Sequence, residues 1–146
     1  MTSEHGIRWR WLKAMYLYTV VVAGGLGLAM VLAPSRVQSM FHMDPQDPVV
    51  FGLNGCIFLS FGLAAILGVR APLKYCPLLL IELTYKLIWL LVVVAPLAMR
   101  REFPGSAIIQ VVIFITFVVG NLVAIPFGYL FSRDVALRGV DNEKAL

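Results

Sequence analysis

Residues 76–98 read CPLLLIELTYKLIWLLVVVAPLA. The stretch is almost wholly apolar, and at a rise of ~1.5 Å per residue it is long enough to cross the ~30 Å hydrocarbon core of a bilayer. Its apolar residues run continuously rather than alternating with a period of two. A backbone in lipid must satisfy its own hydrogen bonds, so the stretch reads as a membrane-spanning helix and not as a barrel strand. Inside it stand one acid and one base, Glu82 and Lys86, four positions apart.

Three further runs of the same character lie on either side, at about 12–33, 48–69 and 107–131. Turn chemistry separates them: Ala33-Pro34-Ser35, Arg70-Ala71-Pro72 and Phe103-Pro104-Gly105-Ser106. The whole chain of 146 residues is 60% hydrophobic and 14% charged, against about 45–50% and about 25% for a soluble domain. These proportions exclude a soluble globular enzyme, a disordered chain and a secreted disulfide scaffold. The net charge of +4 is not read as a nucleic-acid footprint, because basic residues flank membrane spans for a separate reason. The first run follows Arg8, Arg10 and Lys13, as a signal peptide would. It is longer than the ~7–15 residues of a signal h-region, and Val31-Leu32-Ala33-Pro34 is a poor cleavage site, so it is read as a retained helix.

The expected architecture is therefore all-α: a single integral membrane domain over 1–146, a four-helix bundle running up-down-up-down. Lysine and arginine in the loops orient it. Arg8, Arg10, Lys13, Arg70, Lys74, Arg133, Arg138 and Lys144 fall on one side; Arg36, Arg100 and Arg101 fall on the other. This bias places both termini in the cytoplasm, with the bilayer taken as a bacterial inner membrane. The connection from Pro34 to Asp47 is the long one. Ser35 and Gln38 have capping-box spacing, and Val37, Met40 and Phe41 follow at helical spacing, so it reads either as a short helix on the membrane surface or as an ordered loop. Pro96 and Pro126 are expected to bend the third and fourth helices.

Small residues let helix backbones approach in lipid. Ala23 and Gly27 in the first span, Gly55, Gly62 and Gly68 in the second, and Gly120, Ala124 and Gly128 in the fourth form such stripes. They serve either packing within the bundle or a homodimer face.

The polar residues within the spans supply the candidate site. An ionisable side chain at the bilayer centre costs about 2.5–3.5 kcal/mol on insertion scales, and is a functional-site hypothesis by default. By helix rise Lys86 lies almost at the centre of its span and Glu82 roughly 7 Å toward the cytoplasm. Acid first and base four residues later is the favourable order for an ion pair on one helix face. Trp89 and Val93 extend that face. Tyr18 of the first span and Asn121 of the fourth reach similar depth, with Thr19, Ser60, Thr84 and Tyr85 nearby. Asn54 of the second span and Gln110 of the fourth lie in the outer half. The expected site is a cytoplasmic-half cluster of Tyr18, Glu82, Lys86 and Asn121, with Tyr85, Trp89 and Asn54 contacting a ligand. Its competitor is a structural staple, in which the buried pair fixes one helix register.

Cys56 and Cys76 are about 20 Å apart by helix rise, beyond disulfide reach. His5 and His42 fall on opposite sides of the membrane. No metal, haem or phosphate-binding spacing occurs, so no cofactor is expected.

A basic start before Trp11, a Gly-rich first helix ending at Ala33-Pro34, a second ending Gly68-Val69-Arg70, and Lys86 followed by Trp89 in the third together resemble the small four-helix bacterial membrane proteins grouped as DoxX-like. The resemblance covers all four spans. It implies a link to quinone-associated redox partners, which no residue of this chain carries. Three functions follow from the sequence. The first is binding or transport of a small amphipathic ligand around the Glu–Lys pair. The second is a structural subunit of a larger membrane complex. The third is a lipid- or quinone-modifying enzyme with Glu82 as acid/base.

Overall fold

A computed structural model describes residues 7–131. Arg133, Arg138 and Lys144, used above for the charge bias, and His5 lie outside the described residues. Among the described residues every regular element is helical. We label them α1 (Trp9–Leu32), α2 (Pro34–Met40), α3 (Pro48–Arg70), α4 (Cys76–Met99), α5 (Ile108–Ala124) and α6 (Phe127–Leu130). Four segments, α1, α3, α4 and the helical run Gly105–Ala124, are long and apolar enough to cross a membrane. Their outward faces remain apolar, with Leu17, Val21, Leu63, Leu91 and Val119 exposed, as a lipid-facing surface requires. The chain has the make-up of a multi-pass membrane protein.

Proline sets most of the boundaries. Ala33 leaves helical geometry (φ −142°, ψ 59°) before Pro34, which ends α1 and starts α2 at its first position. Of the two readings of this connection the short helix is the one that forms, two residues earlier than a Ser35 cap would place it, and no side chain caps it. Val37 turns inward and Met40 outward. Asp47 caps α3, its Oδ1 accepting from Val49 N–H at 2.9 Å and Val50 N–H at 3.0 Å, with Pro48 at the first helical position.

The two intrahelical prolines behave differently. Ile125, before Pro126, is extended (φ −70°, ψ 121°), so α5 ends at Ala124 and only a short turn of helix, α6, follows. The fourth span is accordingly shorter than the 107–131 read from hydropathy. Apolar character continued past the point where Pro126 removed a donor and forced its neighbour out of the helix. Pro96 leaves α4 continuous. The turn ahead of it, Trp89–Val94, is π-helical, and this widening relieves the clash of the proline ring with the carbonyl four residues back. A second π-helical turn, Thr19–Gly24, lies inside α1.

The glycine stripes of α1 and α3 face each other. A Cβ on Gly62 would strike the Gly24 backbone, and one on Gly27 would strike the backbone at Leu59, with Gly55 O at 2.7 Å. A Cβ on Gly55 would lie 2.9 Å from Met30 Cβ. The partners run in opposite order along the two helices. Gly68 gives its space to the Tyr16 ring, whose hydroxyl donates to Pro72 O at 2.8 Å and ties α1 to the turn after α3. On α5, Gly120 accommodates Met15, whereas Gly128 has open space around it. The stripes of α1 and α3 are therefore consumed within the chain.

Packing is uneven along the helices. The main core gathers Leu12, Met15, Tyr16, Leu79, Leu83 and Phe117 with their neighbours near the start of α1 and α4; a smaller one joins Met30, Val37 and Phe51. The buried stripe of α4 comprises Cys76, Leu79, Glu82, Leu83 and Lys86 and stops there. From Trp89 to Met99 no residue is buried.

Gly27→Ala and Gly62→Ala should each destabilise the fold by about 1–3 kcal/mol, the cost of overpacking. Gly25→Ala and Gly52→Ala, with no atom within 4 Å of the new methyl, should be neutral or slightly stabilising through helix propensity. Thermal unfolding of the four variants in one detergent separates the two pairs.

Candidate functional site

Glu82 and Lys86 lie one helical turn apart on α4, on the face turned toward α1 and α5. Lys86 Nζ donates to Glu82 Oε1 at 2.7 Å, and the two side chains are 1% and 0% exposed. The other carboxylate oxygen, Oε2, is 3.0 Å from the hydroxyl of Thr19, which also lies 3.0 Å from Met15 O. The single hydroxyl proton serves one of those two acceptors at a time.

The ammonium has one carboxylate partner and three aromatic ones. Nζ stands 3.8 Å from the ring centroid of Phe117, 4.8 Å from that of Tyr85 and 5.4 Å from that of Phe114. A desolvated cation–π contact contributes about 2 kcal/mol and a charge-assisted hydrogen bond about 1.5–3 kcal/mol. With the Thr19 bond to Glu82 they offset much of the ~2.5–3.5 kcal/mol that each of the two ionisable groups costs at mid-membrane. The rings thus take the place of the further polar partners that lysine would need elsewhere.

The expected cluster is only partly assembled. Tyr18 does not join the pair. Its hydroxyl is 2.7 Å from Thr116 Oγ1 and its ring packs on Phe117 at 4.5 Å. Tyr18 thus braces α1 against α5 from behind the cage. Asn121 is fully buried, but among the described residues neither its Oδ1 nor its Nδ2 has a hydrogen-bond partner, so it is not a third member of the ion pair. Ser60 and Thr84 turn away and bond the carbonyls of Cys56 and Leu80 one turn back. Val93 is 42% exposed, because the π-helical turn at Trp89 ends the buried stripe. Cys56 and Cys76 are both free.

The space lies elsewhere. A cavity of about 580 Å³ lies beside the charged pair, reached from α4 by Ile81, Tyr85 and Trp89. α1 contributes Leu26 and Met30, and α2 with its following turn contributes Val37, Phe41, Met43 and Gln46. α3 contributes Asn54, Phe58 and Phe61 among others, α4 gives Ile81, Tyr85 and Trp89, and α5 gives Gln110, Ile113 and Phe114. Neither Glu82 nor Lys86 lines it. Of the seven sequence-derived site residues, Asn54, Tyr85 and Trp89 meet at this cavity, while Glu82 and Lys86 form the closed pair beside it. Tyr85 belongs to both. Phe114 links the two, edge-on to Tyr85 (6.0 Å, 85°) and packed against Trp89 (5.1 Å, 66°) and Phe58 (6.3 Å, 79°).

Phe114 and Phe117 are the partners that the sequence reading left unassigned, and Thr19, which it placed at this depth, supplies the bond from α1. A signal for the first two existed: Phe114, Phe117, Val118, Asn121 and Ala124 recur at helical spacing and are the buried face of α5. No family model, curated protein or solved structure matches this chain.

Removing one partner leaves the other charge buried alone, at about 3–5 kcal/mol. Lys86→Met should therefore destabilise the protein by about that amount. The double variant Glu82→Gln/Lys86→Met, which removes both charges, should return to within about 1 kcal/mol of the parent. Thermal unfolding of the parent, the single and the double variant reads the difference. A double variant as unstable as the single one would mean that the charges themselves hold the fold.

Proposed function

We propose that this chain is an inner-membrane, four-helix, up-down-up-down protein with both termini in the cytoplasm, and that it binds a small apolar or amphipathic molecule in the cavity between α1, α3, α4 and α5. The observation that carries the reading is the cavity itself. Its volume of about 580 Å³ lies within the ~300–1,000 Å³ of small-molecule sites, and such sites combine apolar and aromatic walls with a few polar groups that fix orientation. Here the aromatic groups are Phe58, Phe61, Tyr85, Trp89 and Phe114, and the polar ones are the amides of Gln46, Asn54 and Gln110. A ligand dissolved in the bilayer enters where α4 stands away from its neighbours. The Glu82–Lys86 pair acts from behind the wall, holding α4 against α1 and α5 so that the far half of the helix can stand open.

A second reading, a subunit of a larger complex, is favoured by one feature. No side chain from Trp89 to Met99 is fully buried within the chain, and a partner helix packed there would cover that face.

Native mass spectrometry of the protein released gently from its own membrane tests both. We expect a retained small molecule that is lost in Ile57→Trp, which adds bulk at the cavity wall on a side chain already 43% exposed. A second polypeptide retained in place of a small molecule would support the subunit reading. A bare chain, or a molecule kept equally by Ile57→Trp, would overturn ligand binding in this cavity.

A further inference from the structure

The amides of the cavity wall lie at one end of it, and contacts between the helices fix that end. Along α1, Gly24 and Met30 meet Gly62 and Gly55 of α3, while Met15 and Tyr18 meet Gly120 and Thr116 of α5. Both α3 and α5 therefore run opposite to α1 and share one direction. Phe58 of α3 and Phe114 of α5 pack at 6.3 Å between ring centroids. Asn54 and Gln110 each stand four residues before those phenylalanines, so they share the same helix faces one turn nearer the α2 end. Gln46, in the turn that joins α2 to α3, stands further in that direction. In the opposite direction Phe61, three residues after Phe58, meets Tyr85 at 5.6 Å, and Ile81 lies one turn before Tyr85.

At the α2 end the amides have capacity to spare. Gln46 donates to Asp44 O at 2.9 Å, but among the described residues the side chains of Asn54 and Gln110 have no hydrogen-bond partner. Asn54 lies roughly 9 Å into α3 by helix rise, and hydrocarbon offers an amide at that depth no partner. Each amide presents an acceptor oxygen and N–H donors, so a head group that both donates and accepts would satisfy the two together. Among the described residues no Asp, Glu, Lys, Arg or His lines the cavity. The Glu82–Lys86 pair beside it is closed at 2.7 Å and carries no net charge. An ionised head group would stand there without a counter-charge and away from water, which is strongly disfavoured. Resting on the reading of this cavity as a ligand site, we propose that its ligand is an uncharged amphiphile, with a hydroxyl, carbonyl or amide head held by Asn54 and Gln110 and a tail directed toward Phe61 and Ile81.

The test uses the full chain in phosphatidylcholine nanodiscs and four probes with one tail, each in trace amount: dodecanol, dodecane, dodecyl sulfate and dodecyltrimethylammonium. Equilibrium dialysis against empty nanodiscs of the same lipid corrects for unequal partitioning into the bilayer. The parent should bind dodecanol at least about tenfold tighter than each of the other three, a difference of about 1.4 kcal/mol. Asn54→Leu/Gln110→Leu should bind dodecanol within about threefold of dodecane; if it binds neither, the two single variants read the same ratio. Tyr85→Phe, which removes the hydroxyl at the other end and keeps the ring, should retain the parent's preference. Either ion bound as tightly as dodecanol would overturn the uncharged head. Dodecane bound as tightly as dodecanol, a preference unchanged by the leucine variants, or one lost in Tyr85→Phe would overturn its placement. Each of these results leaves the cavity reading standing, provided that Ile57→Trp abolishes the binding. No excess of any probe over empty nanodiscs, or binding unchanged in Ile57→Trp, would overturn both.

Discussion

A charge at the middle of an apolar span must be neutralised by what surrounds it, and the contacts of Lys86 organise the rest of this molecule. The ammonium donates one hydrogen bond within its own helix, to Glu82, and makes three ring contacts, with Tyr85 on α4 and with Phe114 and Phe117 on α5. Glu82 in turn reaches α1 through Thr19. Three helices meet at one pair of charges. Any rotation of α4 would carry an ionised group into lipid, so the pair fixes the register of α4 more sharply than apolar contacts could, whatever it adds to net stability. It also fixes where the rings go, and two of those rings are cavity wall.

The contact between α1 and α3 has a different origin. It depends on the absence of side chains, with Gly24 against Gly62 and Gly27 against the Leu59 backbone. In lipid, where no water is expelled when helices meet, dispersion between closely approaching backbones does what burial does in a soluble core. The small-residue contact draws α1 and α3 together, and the polar contact holds α4 and α5 to α1. Neither kind of contact is available to α4 beyond Lys86. Past the Trp89 contact with Phe114, its sequence from Leu91 to Ala98 has no glycine and no polar side chain, so little draws that part toward its neighbours.

Much of this was legible in the sequence. Four spans, their helical character and the Glu82–Lys86 pairing follow from hydropathy and i,i+4 spacing. The opposed glycines of the first two spans were visible as stripes, although whether they met each other or a second copy was open until Gly24 and Gly62 were seen in contact. The depth argument then led astray in one respect. Equal depth placed Tyr18 and Asn121 with the pair, but depth along a helix says nothing about azimuth. Tyr18 reaches Thr116 instead, and Asn121 makes no bond to either charge. The site was centred on the charged pair, while the open volume lies beside it, lined by Asn54, Tyr85 and Trp89 of the expected residues but by neither charge. Charge is easy to read from sequence. A cavity is the result of packing that fails to occur, and that requires knowing which faces meet.

The split between a closed half and an open half follows from the order of residues on α4. A helix with polar anchors along its whole length would pack throughout and leave no cavity. One with none would have no fixed register, and its aromatic side chains would not be held in one place. Two anchors in the first half, followed by a π-helical turn ahead of Pro96, give a helix clamped at one end and released at the other. The release begins at Trp89, within one turn of Lys86, so Tyr85 and Phe114 are held rigidly from the charged side while their other contacts face open space. Rings positioned in this way form a preorganised wall. A bound molecule would not have to order them, and the entropy that ordering normally costs at an interface, about 0.5–1.5 kcal/mol per side chain, has already been met in folding.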